Sequence, residues 1–368
     1  MKDSGDLAGI AVPFAAGVAA GALLSSPFRD IPLFIPFSLS AAIPSFAAII
    51  LLGSGKSMSG RIPLAAVFLL AGIFCFLNSR MGAGIPLPQG PVNRLAATNG
   101  ERLKSLIDNI PYPSEGTGAL VKALLTGDRS GLDREVVGIF RASGASHILA
   151  LSGLHLGILY LILTRLTVPL GNGPVAKRAS YSLTIAAAGF YTLMTGASPS
   201  IVRAFLFILI GETARLLGRK RDPVRVFLVA LTIQLALKPE TITTLGFQLS
   251  YLAMAGIVLL YPRLERLYPE AEGLAGKIDP MRRIWKGAVL SISCQAFTAP
   301  LVWWRFHTFP NYFMITNLTA LPLTSAVMVL SVSTIALSAL GICPYSLTSL
   351  NDLAVRALVS CLEIISSL

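Results

Sequence analysis

Repeated apolar runs constrain the fold of this chain more than any other feature of its sequence. A helix needs roughly 20 predominantly apolar residues to cross the hydrocarbon core of a bilayer, and most of the runs approach that length. The composition agrees, because only 13% of the residues are charged and the mean hydropathy is +0.71, whereas soluble domains average about 25% charged residues. The sequence therefore predicts an all-α, polytopic membrane bundle of about ten transmembrane helices, with short amphipathic helices on the outer side.

The spans are placed by the limits of the apolar runs. They are predicted at Leu7–Leu24, Ile31–Leu52, Ile62–Leu77, Ser146–Leu166, Ser180–Thr195, Pro199–Leu217, Pro223–Leu237, Thr243–Tyr261, Gly287–Trp304 and Asn311–Leu340. The last run is too long for one simple span and contains Pro322. It is either a long tilted helix or two half-helices.

The distribution of Lys and Arg predicts the topology. If the N-terminus is cytoplasmic, the inner loops are Gly53–Arg61, Thr167–Ala179, Arg215–Arg225 and Pro262–Lys286, which are rich in Lys and Arg, whereas the short outer connections carry few. This bias predicts a multi-pass protein of the inner (cytoplasmic) membrane with a cytoplasmic N-terminus. The net charge of +12 fits such topology signals and lipid contacts, or alternatively a path for nucleic acid.

Four parts are predicted along the chain. They are transmembrane helices at 1–79, an outer-side linker with amphipathic helices at 80–145, a transmembrane core at 146–345 and an interfacial helix at 346–368. In the second part, Val92–Ile110 has the apolar spacing of an amphipathic helix. Two short helices follow at Gly116–Thr126 and Arg134–Arg141, and Asp133 is a candidate N-cap for the second.

The span predicted to begin at Ser146 carries a stripe of small residues. In a continuous helix, Ser146, Ala150, Gly153 and Gly157 would share one narrow face. Small residues let membrane helices approach closely. This face is therefore predicted to pack inside the bundle.

Polar residues occupy another side of the same span. Ser152 and His155 lie three residues apart and need a partner or water at membrane depth. His155 is either a position on a transport pathway or a structural interhelical hydrogen bond. A nucleophile–base pair is disfavoured, because we expect a productive contact between residues three apart on one helix to be awkward and no third group is evident.

Further polar residues recur at membrane depth in later spans. Arg203 lies about one turn inside the helix that Pro199 begins, where it could extend outward to the interface or line an anion-accepting cavity. Interhelical hydrogen bonding is the simplest interpretation for the amides and hydroxyls, and lining an aqueous path is the alternative. These residues are Gln248, Ser250, Gln295 and Asn317.

Little in the sequence indicates enzymatic chemistry. The chain has three histidines and lacks HExxH and paired-carboxylate patterns, so we expect no metal site and no cofactor. The four cysteines lie far apart and are expected to be free thiols. The chain is therefore predicted not to be an enzyme.

Several motifs in order resemble one known family. Gly127–Gly157 (GDRSGLDREVVGIFRASGASHILALSGLHLG) closely resembles the signature of the ComEC family of competence channels, through which bacteria take up transforming DNA. The similarity continues through GASPSIVRA (Gly196–Ala204), Asp222-Pro223, LGFQLSYLA (Leu245–Ala253) and the region Ala299–Leu323.

The resemblance implies a channel core that passes one DNA strand into the cytoplasm. Arg129, Arg134, Arg141 and Arg203 would attract phosphates on the outer side, while Ser152, His155, Gln248, Ser250, Gln295 and Asn317 would line or brace the conduit. Members commonly also carry an OB-fold domain and a metallo-β-lactamase-like nuclease domain, and neither pattern occurs in this sequence.

The expected partners follow from that implication. They are single-stranded DNA, membrane lipid, and separate receptor, nuclease and translocase proteins. The alternatives are a channel or transporter of the same fold for another anionic or small solute, and a membrane subunit that transports nothing.

Overall fold

The described part of the protein is built from helices. The computed structural model describes residues 2–25, 61–79, 90–171, 173–269, 279–307 and 312–368, and these contain no β-strand. The helices are α1 (Lys2–Ser25), α2 (Arg61–Asn78), α3 (Pro91–Asp108), α4 (Thr117–Thr126), α5 (Arg134–Ala142), α6 (Ser146–Leu149), α7 (Gly153–Leu166), α8 (Pro174–Met194), α9 (Pro199–Leu216), α10 (Pro223–Leu237), α11 (Leu245–Leu259), α12 (Tyr261–Glu265), α13 (Pro280–Phe306), α14 (Phe313–Ala339) and α15 (Tyr345–Ser366). The predicted span Ile31–Leu52 and most of the loop Gly53–Arg61 lie outside the described residues.

The prediction of an all-α membrane bundle is confirmed. Within the described ranges, four helical segments are long and apolar enough to cross a membrane, namely Gly153–Leu170, Leu245–Glu265, Pro280–Phe306 and Phe313–Ala339. The long last run is one continuous helix, α14, which contains Pro322. Of the two forms left open by the sequence, the single long helix is therefore observed.

Proline and aspartate set the beginnings of two helices. Asp222 precedes Pro223, and its carboxylate accepts the Val224 N–H at 3.0 Å. Asp279 precedes Pro280 and accepts the Arg282 N–H at 3.1 Å. Proline fits the first helical position, since its backbone has no N–H to leave unsatisfied.

One compact unit combines residues Met1–Pro88 with Ile210–Met254. Its helices α1 and α2 pack backbone to backbone. A Cβ atom on Gly17 would overlap the Leu69 carbonyl oxygen, and one on Gly72 would overlap the Phe14 carbonyl oxygen. Glycine at both positions therefore permits the approach, as small residues do in membrane helix pairs.

An aromatic cluster fills the core of this unit. Tyr251 on α11 lies with its ring centroid 4.5 Å from that of Phe247 and 5.8 Å from that of Phe227. Its hydroxyl donates to Gln234 Oε1 at 2.9 Å, which satisfies a polar group in an apolar core.

The second compact unit combines residues Gln89–Leu209 with Ala255–Leu368. Its largest core joins residues of α3–α7 with residues of α14 and α15, among them Phe140 and Leu358, which have no exposed surface. The helix predicted at Gly116–Thr126 is present as α4, but it is not an amphipathic surface helix. Six of its ten residues are buried, because the helix lies inside this core.

The C-terminal helix α15 packs along α14. Its buried stripe contains Asn351, Val355, Leu358 and Leu362, and the Asn351 amide donates to Ser331 Oγ on α14 at 3.2 Å. This face of the helix predicted at 346–368 is therefore covered by protein. Other apolar residues of α15, such as Leu353, remain exposed.

Candidate functional site

The helix predicted from Ser146 is interrupted inside the signature segment. Helix α6 ends at Leu149, Ala150 is extended (φ −76°, ψ 129°), and α7 begins only at Gly153. The proposed stripe of Ser146, Ala150, Gly153 and Gly157 on one continuous helix is therefore wrong. A Cβ on Gly157 would meet nothing within 4 Å, so this glycine is not at a tight contact.

Ser152 and His155 together cap the start of α7. The Ser152 hydroxyl accepts the Leu154 N–H at 3.2 Å, and His155 Nδ1 accepts the Ser152 N–H at 3.0 Å. This is a capping box in which histidine takes the place of the usual Glu or Gln. The expectation that Ser152 and His155 meet only awkwardly is wrong, since Oγ and Nδ1 lie 3.1 Å apart.

The capping contact fixes where the neutral imidazole carries its hydrogen. A backbone N–H can only donate, so Nδ1 must be an acceptor and Nε2 must bear the proton. His155 has no exposed surface, and its Nε2 has no hydrogen-bond partner among the described residues. One buried donor in the first turn of α7 is therefore available.

Arg203 on α9 lies against the same turn. A Cβ built on Gly153 would lie 3.4 Å from Arg203 Nη2 and 3.4 Å from the Ala204 Cβ. The Arg203 side chain is buried, with 8% of its surface exposed. The structure therefore brings together Ser152 and His155, and it places Arg203 against Gly153 in the same helical turn.

The turn before α9 has unusual backbone geometry. Gly196 (φ 81°) and Ala197 (φ 48°) are both left-handed, a region that a residue with a Cβ rarely adopts. The Ser198 hydroxyl that follows is buried without a hydrogen-bond partner in the described structure. This hydroxyl therefore caps no backbone N–H of α9 among the described residues.

The arginines predicted to contact DNA divide into two kinds. Arg129 is exposed, but its Nε donates to the Leu149 carbonyl at 3.1 Å, so it holds the end of α6. Arg134 and Arg141 are exposed at opposite ends of α5. Seven residues apart, they lie on one face of that helix.

The polar residues predicted to line a path also differ in their surroundings. Gln248, in the first unit, donates its amide to the Ile242 carbonyl at 2.8 Å and so braces the turn before α11. Ser250 is half-buried on the same helix. In the second unit, Gln295 Nε2 on α13 and Asn317 Oδ1 on α14 are buried polar atoms without hydrogen-bond partners in the part of the chain described.

Two buried carboxylates did not emerge from the sequence as site residues. Asp352 on α15 accepts the Ser114 N–H at 3.2 Å, the Ser114 hydroxyl at 2.8 Å and the Thr117 hydroxyl at 2.6 Å. Glu212 on α9 is fully buried and pairs with Arg215 and Arg221. A lone acidic residue within a largely apolar run was the available signal for both.

A charged cluster surrounds the turn after α4. Two hydrogen bonds from Ser130, aided by Lys104, lower the pKa of Asp128 to about 2. Lys104 lies 2.9 Å from Glu101 and 3.2 Å from Asp128, and the hydrogen bond to Glu101 raises the pKa of its ammonium group. The turn is therefore tied electrostatically to α3.

The region that contains this site matches a known protein family. The sequence model of the Competence protein family matches residues 124–368, more than half of the chain, including the interrupted helix and Arg203. The chain belongs to the Competence protein family. No solved structure matches it.

Two curated proteins are similar in sequence to part of this chain. ComE operon protein 3 of Bacillus subtilis (strain 168) is 25% identical over 214 residues, which are 58% of this chain and 25% of that protein. The uncharacterized protein YcaI of Escherichia coli (strain K12) is 25% identical over 224 residues, which are 60% of this chain and 28% of that protein. Each match thus spans only about a quarter of the relative's length.

Proposed function

We propose that the chain is the membrane channel core through which a single strand of transforming DNA enters the cytoplasm. Membership of the Competence protein family supports a role in competence. The observation that carries the channel role is a set of buried polar atoms, on apolar helices of the second unit, that have no hydrogen-bond partner among the described residues. They are His155 Nε2 on α7, Ser293 Oγ and Gln295 Nε2 on α13, and Asn317 Oδ1 on α14.

Such atoms are costly in a membrane helix. A buried donor or acceptor without a partner costs about 1–3 kcal/mol, and lipid offers no replacement hydrogen bond. Water or a polar substrate between the helices would satisfy these atoms. Polar groups inside a membrane bundle therefore support a hydrated path.

Surface charge supports an anionic substrate. Arg134 and Arg141 share the exposed face of α5, which the distribution of Lys and Arg predicts to lie on the outer side, and they would attract the phosphates of an incoming strand. Transport is proposed to be passive guidance, with the driving force supplied by a separate cytoplasmic translocase. A separate receptor and nuclease would prepare the strand.

The test is uptake of labelled DNA by a naturally transformable host whose copy of this gene is deleted. We expect DNA entry to fall to background and to recover when the full chain is restored. Unchanged uptake in the deletion strain would refute the proposal.

A second comparison tests the hydrated path itself. Gln295→Leu and Asn317→Leu should each lower DNA entry at normal protein level, since each replaces a buried polar group with an apolar one. Ser333→Ala, at an exposed position on α14, is the matched control. If both leucine variants transport DNA normally, these residues do not line the path.

A further inference from the structure

The loop before α4 and the end of α5 contact α14 at widely separated positions. Just after α5, the Ser143 carbonyl accepts a hydrogen bond from the Thr316 hydroxyl, near the start of α14, at 2.7 Å. Asp352, which binds the loop before α4, follows Asn351, and the Asn351 amide donates to Ser331 near the other end of α14. Thr316 and Ser331 are separated by about 22 Å along the helix axis. The segment α3–α5 therefore extends along much of the length of α14.

Helix α14 gives these contacts a depth in the membrane. It has 27 residues and is about 40 Å long, so a hydrocarbon core of roughly 30 Å leaves about 5 Å of helix beyond it at each end. Exposed Trp303 and Trp304 precede its start and exposed Tyr345 follows its end, as expected of aromatic side chains at the two interfaces. Ser331 lies about 12 Å from the C-terminal end. Asp352 beside it therefore lies within the hydrocarbon region.

A cavity of about 200 Å³ lies at this depth, between the starts of α4 and α5 and the middle of α15. Ser114, which binds Asp352, lines it, as does Arg356, one turn further along α15. The other charged residues that line it are Glu115 and Asp133. The three charged side chains are exposed. None of them belongs to an ion pair within the described residues.

We infer that this cavity is a water-filled vestibule that admits water and small cations from the outer side of the membrane. Charged side chains at membrane depth need water or an opposite charge, because lipid solvates them poorly. The volume has room for several water molecules. Two carboxylates against one guanidinium favour cations over anions, and α3–α5 belong to the segment predicted to lie outside. The vestibule would be present whatever solute the chain transports.

The test is the reaction of a cysteine in the cavity with membrane-impermeant methanethiosulfonate reagents in intact cells. Ser360→Cys, in a chain with its four native cysteines replaced by serine, lines the cavity and leaves its three charged residues in place. Ala357→Cys is the matched control, because Ala357 is exposed within one turn of Ser360 but does not line the cavity. We expect Ser360→Cys to react and Ala357→Cys, which would face lipid, to react only after denaturation.

The two cysteines together separate a vestibule from its alternatives. Reaction of both in intact cells would place this part of α15 in bulk water, and reaction of neither would show that the cavity is dry. Either result would overturn the vestibule. Labelling of Ser360→Cys only after permeabilisation would overturn its opening to the outer side. Equal labelling of the two variants after denaturation verifies that comparable amounts of protein are compared.

The charge of the reagent tests the preference for cations. With each rate divided by that of the same reagent with free cysteine, a trimethylammonium reagent should label Ser360→Cys several-fold faster than a sulfonate reagent. Adding Glu115→Gln and Asp133→Asn should abolish or reverse this preference, since Arg356 is then the charged residue that remains in the lining. Glu101→Gln, an exposed acid outside the cavity, should not change it. Equal or faster labelling by the sulfonate reagent in the unaltered cavity would overturn the preference.

Discussion

Asp352 shows how a single buried acid can hold two distant parts of the chain together. It accepts three hydrogen bonds from Ser114 and Thr117, more than 230 positions earlier. Only 4% of its surface is exposed. The donors on Ser114, in the loop before α4, and on Thr117, the first residue of that helix, would lose their acceptor if this carboxylate were removed.

We therefore predict that Asp352→Ala lowers the free energy of unfolding by about 2 kcal/mol, the cost of leaving buried donors unsatisfied. Thermal unfolding in detergent, followed by circular dichroism, measures the change. Glu363→Ala removes an exposed acid from the same helix and is the control. Equal unfolding temperatures for the two variants would contradict the role of Asp352.

Asp128 is predicted to make the stability of the folded protein depend on pH in the acidic range. Its pKa falls from 3.8 to about 2 because of the hydrogen bonds from Ser130 and the nearby Lys104. A folded-state pKa below the unfolded one stabilises the protein above the unfolded value. This stabilisation is lost as the pH falls from about 4 to about 2.

The measurement is the unfolding temperature at pH 6 and pH 3 in wild type and Asp128→Asn. The decrease on acidification should be smaller in the variant, which lacks the titrating group. Glu135→Gln, at an exposed position of α5, should behave as wild type. An equal decrease in wild type and Asp128→Asn would refute the prediction.

The contacts between side chains that are distant in the sequence were the part of the site that could not be predicted. Arg129 was predictable as a basic residue in a polar turn, but its hydrogen bond to Leu149, twenty positions later, depends on how α6 folds back. The packing of Arg203 against Gly153 is likewise tertiary. By contrast, the local contact between Ser152 and His155 has a signature in the sequence, a serine followed three residues later by a polar acceptor.

The close packing of helices α1 and α2 depends on glycine at the point of contact. Gly17→Ala should lower the free energy of unfolding by about 2 kcal/mol, since its methyl group would overlap the Leu69 carbonyl and force the helices apart. Thermal unfolding of the purified protein measures the change.

Gly9→Ala is the matched control on the same helix, because a Cβ there meets nothing within 4 Å. It should not lower stability, since alanine favours helix more than glycine does. If Gly17→Ala unfolds at the wild-type temperature, the close crossing is absent in solution.

Gly127 should be equally intolerant, for two reasons. Its φ of 78° favours glycine, and a Cβ would overlap the Leu151 side chain in the interrupted segment. Gly127→Ala is expected to lower the unfolding temperature, whereas Gly138→Ala on α5, where a Cβ meets nothing within 4 Å, should not. Equal temperatures for the two variants would contradict the packing of Leu151 on this turn.

The positions of the helices along the chain were largely predictable from the sequence, whereas the interruption between α6 and α7 was not. Helix α10 has the predicted limits, Pro223–Leu237, because the Asp-Pro start and the apolar run are both local signals. The break at Ala150–Ser152 contains neither proline nor glycine. A hydropathy pattern runs through it, so the sequence indicated one helix where the structure has two.

At the scale of the whole molecule, the predicted topology assigns sides to exposed residues. Arg134 should lie outside and Arg219 in the cytoplasm. Arg134→Cys and Arg219→Cys, in a chain with its four native cysteines replaced by serine, can be labelled with a membrane-impermeant maleimide.

In intact cells we expect labelling at position 134 alone, with position 219 reacting after permeabilisation. The cysteine-free chain is the control for background labelling. Labelling at position 219 in intact cells would reverse the assignment and place the Arg134–Arg141 face on the wrong side for incoming DNA.

The interrupted helix also bears on the lipid around the protein. The apolar segment Gly153–Leu170 that begins with α7 has 18 residues and is therefore about 27 Å long, slightly shorter than the hydrocarbon thickness of roughly 30 Å. Ile148 and Leu149, which precede the break, are buried against protein, so they do not extend the lipid-facing surface of this helix. Hydrophobic mismatch at α7 should therefore thin the adjacent bilayer and favour membranes with short acyl chains.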